Sequence, residues 1–395
     1  MVIILRFIFF FFLFGIFFSN AVLQIATVLL LPFAVYLFII KLRENKLTTF
    51  ELLIVLLFLS SMLSVYLSYQ PSIAGKNILY HSILLSILPI SYLIQKDNHV
   101  SLISLGKILS LFAFAISVMG IVRYLNGAER AYGFFSSYYT LAATLAFTIP
   151  LTFAFVFYSK STWKYLTIVS TIIQFAALWL TFTRSTLLGL IAALIIIALI
   201  LFTRAGLSTV VKRRIVFSSV FILALVFILL FTSSDSRLNP ILALSNPDLS
   251  SGRNEIYSDA YRVIWYDLKG NLGNILFGHG LESRVVMFPK SQFTSWESDY
   301  LETFISQGLI GLVLIILIYL QFLKEVVKLY FKAESTRYSK FVLGILASGI
   351  SFWVISFFSS QLVGRISSAY FVILYSLIVL IRKTFQRNET PAATN

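Results

Sequence analysis

The chain of 395 residues has no cysteine, and only 12% of its residues are charged. Without cysteine, the protein can form no disulfide bond, thiolate nucleophile or cysteine metal site. A soluble domain carries about a quarter charged residues, so the scarcity of charge argues against a soluble protein. The charges present are also unequal, with 31 lysines and arginines against 16 aspartates and glutamates.

Apolar sequence is abundant instead, since 59% of the residues are hydrophobic and the mean hydropathy is +0.91. About twenty helical residues cross the bilayer core of about 30 Å, and apolar stretches of this length recur along the chain. They do not alternate as the strands of a barrel do. The sequence therefore predicts an all-α, polytopic membrane protein with about 12 transmembrane helices. The predicted spans are residues 2–18, 22–40, 50–67, 75–94, 102–124, 138–158, 163–182, 185–203, 214–231, 299–322, 341–361 and 366–381.

The basic residues lie mainly in alternate connections between these spans, as in the cluster Lys324, Lys328 and Lys332. Short loops rich in lysine and arginine face the cytoplasm, so we expect both termini to be cytoplasmic and the longest loop to face the exterior. This distribution accounts for the net charge of +15 without a nucleic-acid partner. The apolar run before Ser19 resembles a cleaved signal peptide, but almost no positive charge precedes it, and we expect it to be retained.

One long polar segment divides the chain. We expect transmembrane helices 1 to 9 in residues 1–231, an extracytoplasmic loop in residues 232–298, helices 10 to 12 in residues 299–382 and a cytoplasmic tail in residues 383–395. Connections between packed elements are usually a handful of residues, and much longer ones tend to be functional or disordered. The loop is therefore where we expect the chemistry.

The loop contains a pattern that predicts an amphipathic helix from Arg253 to Leu268. Apolar residues recur there every four positions, at Ile256, Ala260, Ile264 and Leu268. An aromatic stripe runs beside them, at Tyr257, Tyr261 and Trp265. The following Lys269-Gly270 is a typical helix stop. We expect the aromatic stripe to pack against the membrane domain or its interface rather than to bind a ligand.

Two arginines on the predicted outer side are candidates for anion binding. Arg184 lies between two spans, and an arginine near membrane depth usually faces a partner or a cavity. Arg253 opens the predicted loop helix, where a cation opposes the helix dipole unless an anion binds at the same place. Two such arginines would suit a diphosphate. The alternatives are that Arg184 reaches out to the membrane surface and that Arg253 pairs with Glu255.

Glu297 and His279 are the candidates for a general base. Glu297 precedes the tenth span, where a carboxylate at the membrane surface could accept a proton from a sugar hydroxyl. Its spacing from Thr294 also fits a capping box, and nearby arginines would weaken the carboxylate as a base. His279 lies in a glycine-flanked turn that could bring an imidazole to a ligand, although a lone histidine is more often structural.

The order of several short motifs resembles that of a known family. The motifs are Arg130-Ala131-Tyr132-Gly133-Phe134, Thr183-Arg184-Ser185, Ser251-Gly252-Arg253, Phe277-Gly278-His279-Gly280, and Glu297-Ser298-Asp299-Tyr300-Leu301-Glu302 followed by Gly308-Leu309-Ile310-Gly311. With this arrangement about the long loop, the chain resembles the O-antigen polymerase and O-antigen ligase superfamily. These are bacterial integral-membrane glycosyltransferases that act on undecaprenyl-diphosphate-linked glycans.

The resemblance implies a function and a set of site residues. It assigns the substrate diphosphate to Arg184 and Arg253, with Arg284 of the same loop as a third candidate. It implies a reaction that uses no metal and no cofactor, on the outer face of the bacterial cytoplasmic membrane. The partners would be lipid-linked glycan donor and acceptor, membrane lipid and a regulator of chain length.

Within the superfamily, the resemblance favours a polymerase of O-antigen, capsule or exopolysaccharide repeat units. The ligases typically carry histidine where this chain has Glu297, and asparagine where it has Ser298. Transfer of glycan to lipid A core by a ligase remains an alternative. A third is a flippase or other transporter, but transporters tend to carry ionisable residues inside their spans, and no acidic residue here lies deep in a predicted span.

Overall fold

The computed structural model describes residues 1–68, 70–135, 137–159, 162–203, 210, 213, 253–291, 293–333, 338–362 and 367–389, and helices are its only regular elements there. The helices are α1 (Val2–Phe18), α2 (Asn20–Arg43), α3 (Thr49–Leu67), α4 (Ile78–Lys96), α5 (Leu102–Leu125), α6 (Tyr138–Tyr158), α7 (Thr162–Trp179), α8 (Arg184–Thr203), α9 (Arg253–Leu268), α10 (Leu272–Phe277), α11 (Ser283–Met287), α12 (Asp299–Ala333), α13 (Ser339–Ile355) and α14 (Ser368–Glu389).

Most of these helices have the length and composition of membrane spans. Among the described residues, 8 helices are long and apolar enough to cross a bilayer, and α1 and α13 are shorter apolar helices. The all-α, polytopic fold predicted from the sequence is thereby confirmed. The predicted ninth span, residues 214–231, and the first part of the loop, residues 232–252, lie outside the described residues.

The centre of the helix bundle is formed by α6, α13 and α14, whose side chains are mostly buried. Small residues allow the close approach that packing between membrane helices requires. A Cβ atom built on Gly189 of α8 would lie 2.8 Å from the Ser351 carbonyl oxygen of α13. One built on Gly344 of α13 would lie 2.9 Å from the Pro150 carbonyl oxygen of α6. Helices α6 and α8 are therefore held tightly against α13.

Charged residues at one end of the bundle are paired with one another. Arg6 of α1 bonds to Asp97, and Lys383 of α14 donates to the Asp97 carbonyl oxygen at 2.7 Å. Lys41 pairs with Glu51 in the same part of the molecule. We call this end the basic face, and the opposite end, where α9 to α11 lie, the loop face. That the basic face is cytoplasmic stays a prediction from the charge distribution.

Residues 253–298 form a small helical cap on the start of α12. Ile256 and Ala260 of α9 pack with Trp296 and Ile305 in a core of their own. The helix α9 has the bounds that the amphipathic pattern predicts. Tyr261 and Trp265 of its aromatic stripe are exposed and are not covered by the membrane helices that the structure describes, and their contact with the membrane interface stays a prediction.

A kink in α12 receives the turn between α10 and α11. Gly308 has φ 70° and ψ −166° within the helix, a conformation that glycine adopts without steric cost. The break leaves helical carbonyl groups without their usual donors. The backbone N–H groups of His279 and Gly280 supply donors, to Ile305 at 2.8 Å and to Ser306 at 3.0 Å. The loop cap is thus bonded directly to a membrane helix.

Candidate active site

The start of α12 and the end of α13 are joined by a buried carboxylate. Asp299 is completely buried, and its carboxylate accepts hydrogen bonds from the backbone N–H groups of Gln361 at 2.8 Å and Leu362 at 2.9 Å. The Asp299 N–H donates to the Ser356 carbonyl oxygen at 2.9 Å. These bonds fix the turn of residues 356–362 beside the residues that precede α12.

Glu297 lies just before this junction in a backbone conformation that glutamate rarely adopts. Its φ is 52°, in the left-handed region, which costs a non-glycine residue free energy and is often seen at functional sites. The side chain is partly exposed and accepts a hydrogen bond from Ser295 at 3.2 Å. The capping-box alternative for Glu297 is wrong, because α12 begins at Asp299 and the carboxylate that bonds backwards, to the Trp296 N–H, belongs to Glu302.

Arg253 reaches the same junction from the loop. It is the first residue of α9, is partly exposed, and donates from Nη2 to the Phe358 carbonyl oxygen at 3.1 Å. Among the described residues its partner is this carbonyl group, which leaves most of the five donor hydrogens of a guanidinium group for other ligands. Arg253 therefore combines a fixed position with unused donor capacity.

Tyr139 brings α6 into this group. Its hydroxyl lies within electrostatic range of both Arg253 and Glu297. The ring of Tyr138 packs against that of Tyr139 with centroids 4.3 Å apart. On the other side of Tyr138, the Arg130 guanidinium lies 4.2 Å from the ring centre. We call Arg130, Tyr138, Tyr139, Arg253 and Glu297 the charged corner.

Arg184 is on the same side of the bundle. It begins α8, after a turn in which the Leu180 carbonyl oxygen accepts a hydrogen bond from the Ala131 N–H at 2.8 Å. The contact of Gly189 with Ser351 and Ile355 places this end of α8 beside the end of α13. Arg184 is partly exposed and begins α8 five residues before Gly189, at this same end of the bundle.

Arg284, the third candidate for the diphosphate, lies in the interior of the loop cap. Its side chain is 1% exposed, and Nη2 lies 3.0 Å from Asp259 Oδ2 and 3.8 Å from Glu255 Oε1. Its guanidinium carbon also lies 4.9 Å from the centre of the Trp296 ring. These contacts fasten α9 to α11 and place Arg284 among protein partners rather than in the charged corner.

His279 is also engaged within the loop cap. Its Nε2 lies 2.6 Å from Asp267 Oδ2, and its Nδ1 lies 3.3 Å from the Asn274 amide. The side chain is 7% exposed, and it borders a small cavity between α9, α10 and the first turns of α12. His279 thus links α9 to the kink in α12, and it lies apart from Glu297.

Sequence reasoning missed Tyr138 and Tyr139 as members of the corner, and the Phe358 carbonyl group that holds Arg253. A tyrosine pair at the start of an apolar span is typical of the interfacial aromatic belt, so nothing local marks Tyr139. A backbone carbonyl group carries no sequence signal at all. Within the described ranges, no group of three histidine, aspartate or glutamate side chains could hold a metal ion, and a reaction without metal stays a prediction.

The fold and the charged corner together define a multi-pass membrane protein with a site at one end of its helix bundle. A model of the family described as O-antigen ligase matches residues 169–316, from the middle of α7 to the first half of α12. The match includes Arg184, Arg253, His279 and Glu297. It confirms the resemblance to the O-antigen polymerase and ligase superfamily and supports a function of that general type. No curated protein matches the chain.

Proposed function

We propose that the protein is a polymerase of undecaprenyl-diphosphate-linked oligosaccharide repeat units, for O-antigen, capsule or exopolysaccharide. It would work as a multi-pass protein of the bacterial cytoplasmic membrane, with both termini in the cytoplasm and the charged corner outside. The observation that carries the proposal is that Arg253 and the segment of Glu297 reach the same turn at the loop face: Arg253 donates to the Phe358 carbonyl oxygen at 3.1 Å, and Ser298 and Asp299, which follow Glu297, both donate to the Ser356 carbonyl oxygen. Glycosyl transfer from a diphosphate requires a cation that stabilises the leaving diphosphate and a base that accepts the proton of the acceptor hydroxyl. Arg253 and Glu297 provide these two groups.

The chemistry assigned to the corner is a single displacement at the donor sugar. The oxygen of an acceptor hydroxyl forms a bond to the anomeric carbon, and the bond from that carbon to the diphosphate oxygen breaks. The electron pair leaves with the diphosphate, whose growing charge Arg253 and Arg184 stabilise. The acceptor proton passes to the Glu297 carboxylate. The positive side chains carry out the stabilisation for which other transferases use a metal ion.

Polymerase activity is preferred to ligase activity because of Glu297. By the resemblance, ligases typically carry histidine at this position, and His279 is bonded to Asp267 inside the loop cap. The description of the matched family model favours a ligase as the second candidate. Both candidates use the same donor, so the acceptor distinguishes them.

The proposal is tested by incubating the purified protein in lipid nanodiscs with lipid-diphosphate-linked repeat units and separating the products on a gel. We expect lipid-linked glycans that are longer by whole repeat units. Transfer to lipid A core in place of elongation would identify a ligase. Movement of the intact lipid across the bilayer without any new glycosidic bond would identify a transporter and refute both enzymatic functions.

A further inference from the structure

Helix α9 carries a row of large side chains that begins at the charged corner. The row takes every fourth residue, which lie next to one another on a helix surface: Arg253, Tyr257, Tyr261 and Trp265, followed by Lys269 just after the helix. We call Tyr257, Tyr261 and Trp265 the aromatic ladder. The ladder residues are 38%, 64% and 50% exposed, respectively.

Two rings of the ladder are aligned with each other. Those of Tyr261 and Trp265 are nearly parallel, with an interplanar angle of 13° and centroids 6.2 Å apart. The Lys269 ammonium group lies 5.1 Å from the centre of the Trp265 ring, which orients the ring at the far end of the ladder. From Tyr257 to Trp265 the helix rises about 12 Å, the length of a short oligosaccharide.

The surroundings of the ladder differ from those of the lipid-facing surface. The membrane helices expose residues such as Phe7, Ile172 and Leu199, whereas the ladder is flanked by charged side chains. Arg262, three residues before Trp265, is 75% exposed, and Lys269 beside Trp265 is exposed as well. Burying these groups in lipid together with the rings would remove their hydration at a large cost in free energy. The ladder therefore suits a ligand with both apolar and hydrogen-bonding surfaces.

Saccharides have this combination, because the C–H groups on one face of a sugar ring pack on an aromatic ring while its hydroxyl groups bond to polar neighbours. We propose that the aromatic ladder is a saccharide-binding track that holds the growing glycan beside the charged corner. The identity of the ligand rests on the proposed function. Binding at three rings in a line allows the chain to move by one unit without leaving the protein.

Binding is tested with lipid-free oligosaccharides of one to three repeat units, cut from the polysaccharide of the source strain and titrated calorimetrically into nanodiscs. We expect the Y261A/W265A double variant to bind about tenfold more weakly, given the energies of aromatic contacts. Trp265→Phe should restore most of the affinity. Tyr266→Ala is the matched control, since Tyr266 is 73% exposed on the same helix but off the ladder. Equal binding by the wild type and the double variant would overturn the proposal.

Elongation by the same variants separates this proposal from the proposed function. We expect the double variant to release shorter polymers than the wild type. Wild-type elongation with an unchanged product length in the double variant would refute the track alone. Ladder-dependent binding by a wild-type protein that elongates nothing would refute the polymerase function alone.

The alternative role for an exposed aromatic row is contact with the membrane. Because the protein has no cysteine, a single introduced cysteine can be labelled to test this role. A nitroxide attached to Arg262→Cys reports whether the ladder side of α9 meets water or lipid. We expect relaxation by a polar, water-soluble agent to exceed relaxation by oxygen. The reverse order would place this side of α9 in the bilayer and contradict the track.

Discussion

Arg253 and Arg284 lie in the same loop cap and look alike in the sequence, yet their environments are opposite. Arg253 is partly exposed, with a backbone carbonyl group at 3.1 Å as its partner. Arg284 is 1% exposed and lies 3.0 Å from the Asp259 carboxylate. A buried guanidinium that is paired with a carboxylate stabilises the cap. A partly exposed guanidinium with unused donors at the loop face can bind a substrate.

The comparison extends to the two candidate bases. His279 is bonded to Asp267 within the cap, while Glu297 stands in a left-handed backbone conformation beside Tyr139 and Arg253. We infer that the charged side chains of the cap form two sets. The inner set holds the cap together and consists of Asp259, Asp267, His279 and Arg284. The outer set belongs to the charged corner and consists of Arg253 and Glu297. Each of the following substitutions addresses one member of one set.

The largest effect is expected for Glu297→Gln, which keeps the size of the side chain and removes its ability to accept a proton. General-base catalysis is worth about 10²–10⁴-fold in rate, so elongation should fall by that factor while the thermal unfolding temperature is unchanged. Initial rates on lipid-linked repeat units measure this. Glu255→Gln, in the same loop, is the control. Wild-type elongation by Glu297→Gln would show that another residue is the general base, and it would contradict the comparison of Glu297 with His279.

Arg284→Met should destabilise the protein, because it removes the buried partner of the Asp259 carboxylate and leaves only the exposed Arg262 at 4.0 Å. Breaking a buried ion pair by removing one member costs about 3–5 kcal/mol. Thermal unfolding in nanodiscs and the protease sensitivity of residues 253–298 are the measurements. The R284M/D259L double variant should recover part of the loss. Unchanged stability in the single variant would show that Arg284 is not part of the inner set.

His279→Ala should have a smaller effect on the same measurements. It removes the His279 partner of the buried Asp267 carboxylate, which keeps the Asn274 amide as a donor at 3.3 Å, at a cost of about 1–3 kcal/mol. Below the unfolding temperature, elongation should stay within about threefold of the wild type, because a structural histidine takes no part in proton transfer. His99→Ala, at an exposed position, is the control. A large loss of rate with normal stability would return His279 to the candidates for the base.

The smallest effect is expected for Tyr139→Phe, which removes one hydroxyl group from the corner and keeps the ring. A hydrogen bond contributes about 0.5–1.5 kcal/mol, so we expect elongation to slow by about threefold to tenfold. Tyr66→Phe, at a position that is 80% exposed, is the control. A Tyr139→Phe variant as fast as the wild type would remove Tyr139 from the charged corner.

The local features of this molecule could be predicted from the sequence. The four-residue repeat of apolar side chains and the Lys269-Gly270 stop define α9 because they act over one or two helical turns. Apolar length similarly predicts the membrane helices. The all-α class follows from these two signals.

The pairing of charges could not be predicted in this way. Asp259 and Arg284 are separated by 25 positions in the chain, and only the fold of the cap brings them together. The kink at Gly308 could not be predicted from the sequence either, because a glycine in an apolar run is equally typical of close helix packing. Trp296, whose place in the sequence does not mark it as a core residue, is completely buried beneath Arg284, since the cap has a core of its own.

The central claim, that the corner binds the substrate while the interior of the cap is structural, is tested most directly by comparing Arg253→Gln with Arg284→Gln. Elongation rate and thermal unfolding would be measured on both variants in the same nanodiscs. We predict that Arg253→Gln unfolds as the wild type does but elongates at least about a hundredfold more slowly, whereas Arg284→Gln loses stability. Normal elongation by a stably folded Arg253→Gln variant would contradict the account.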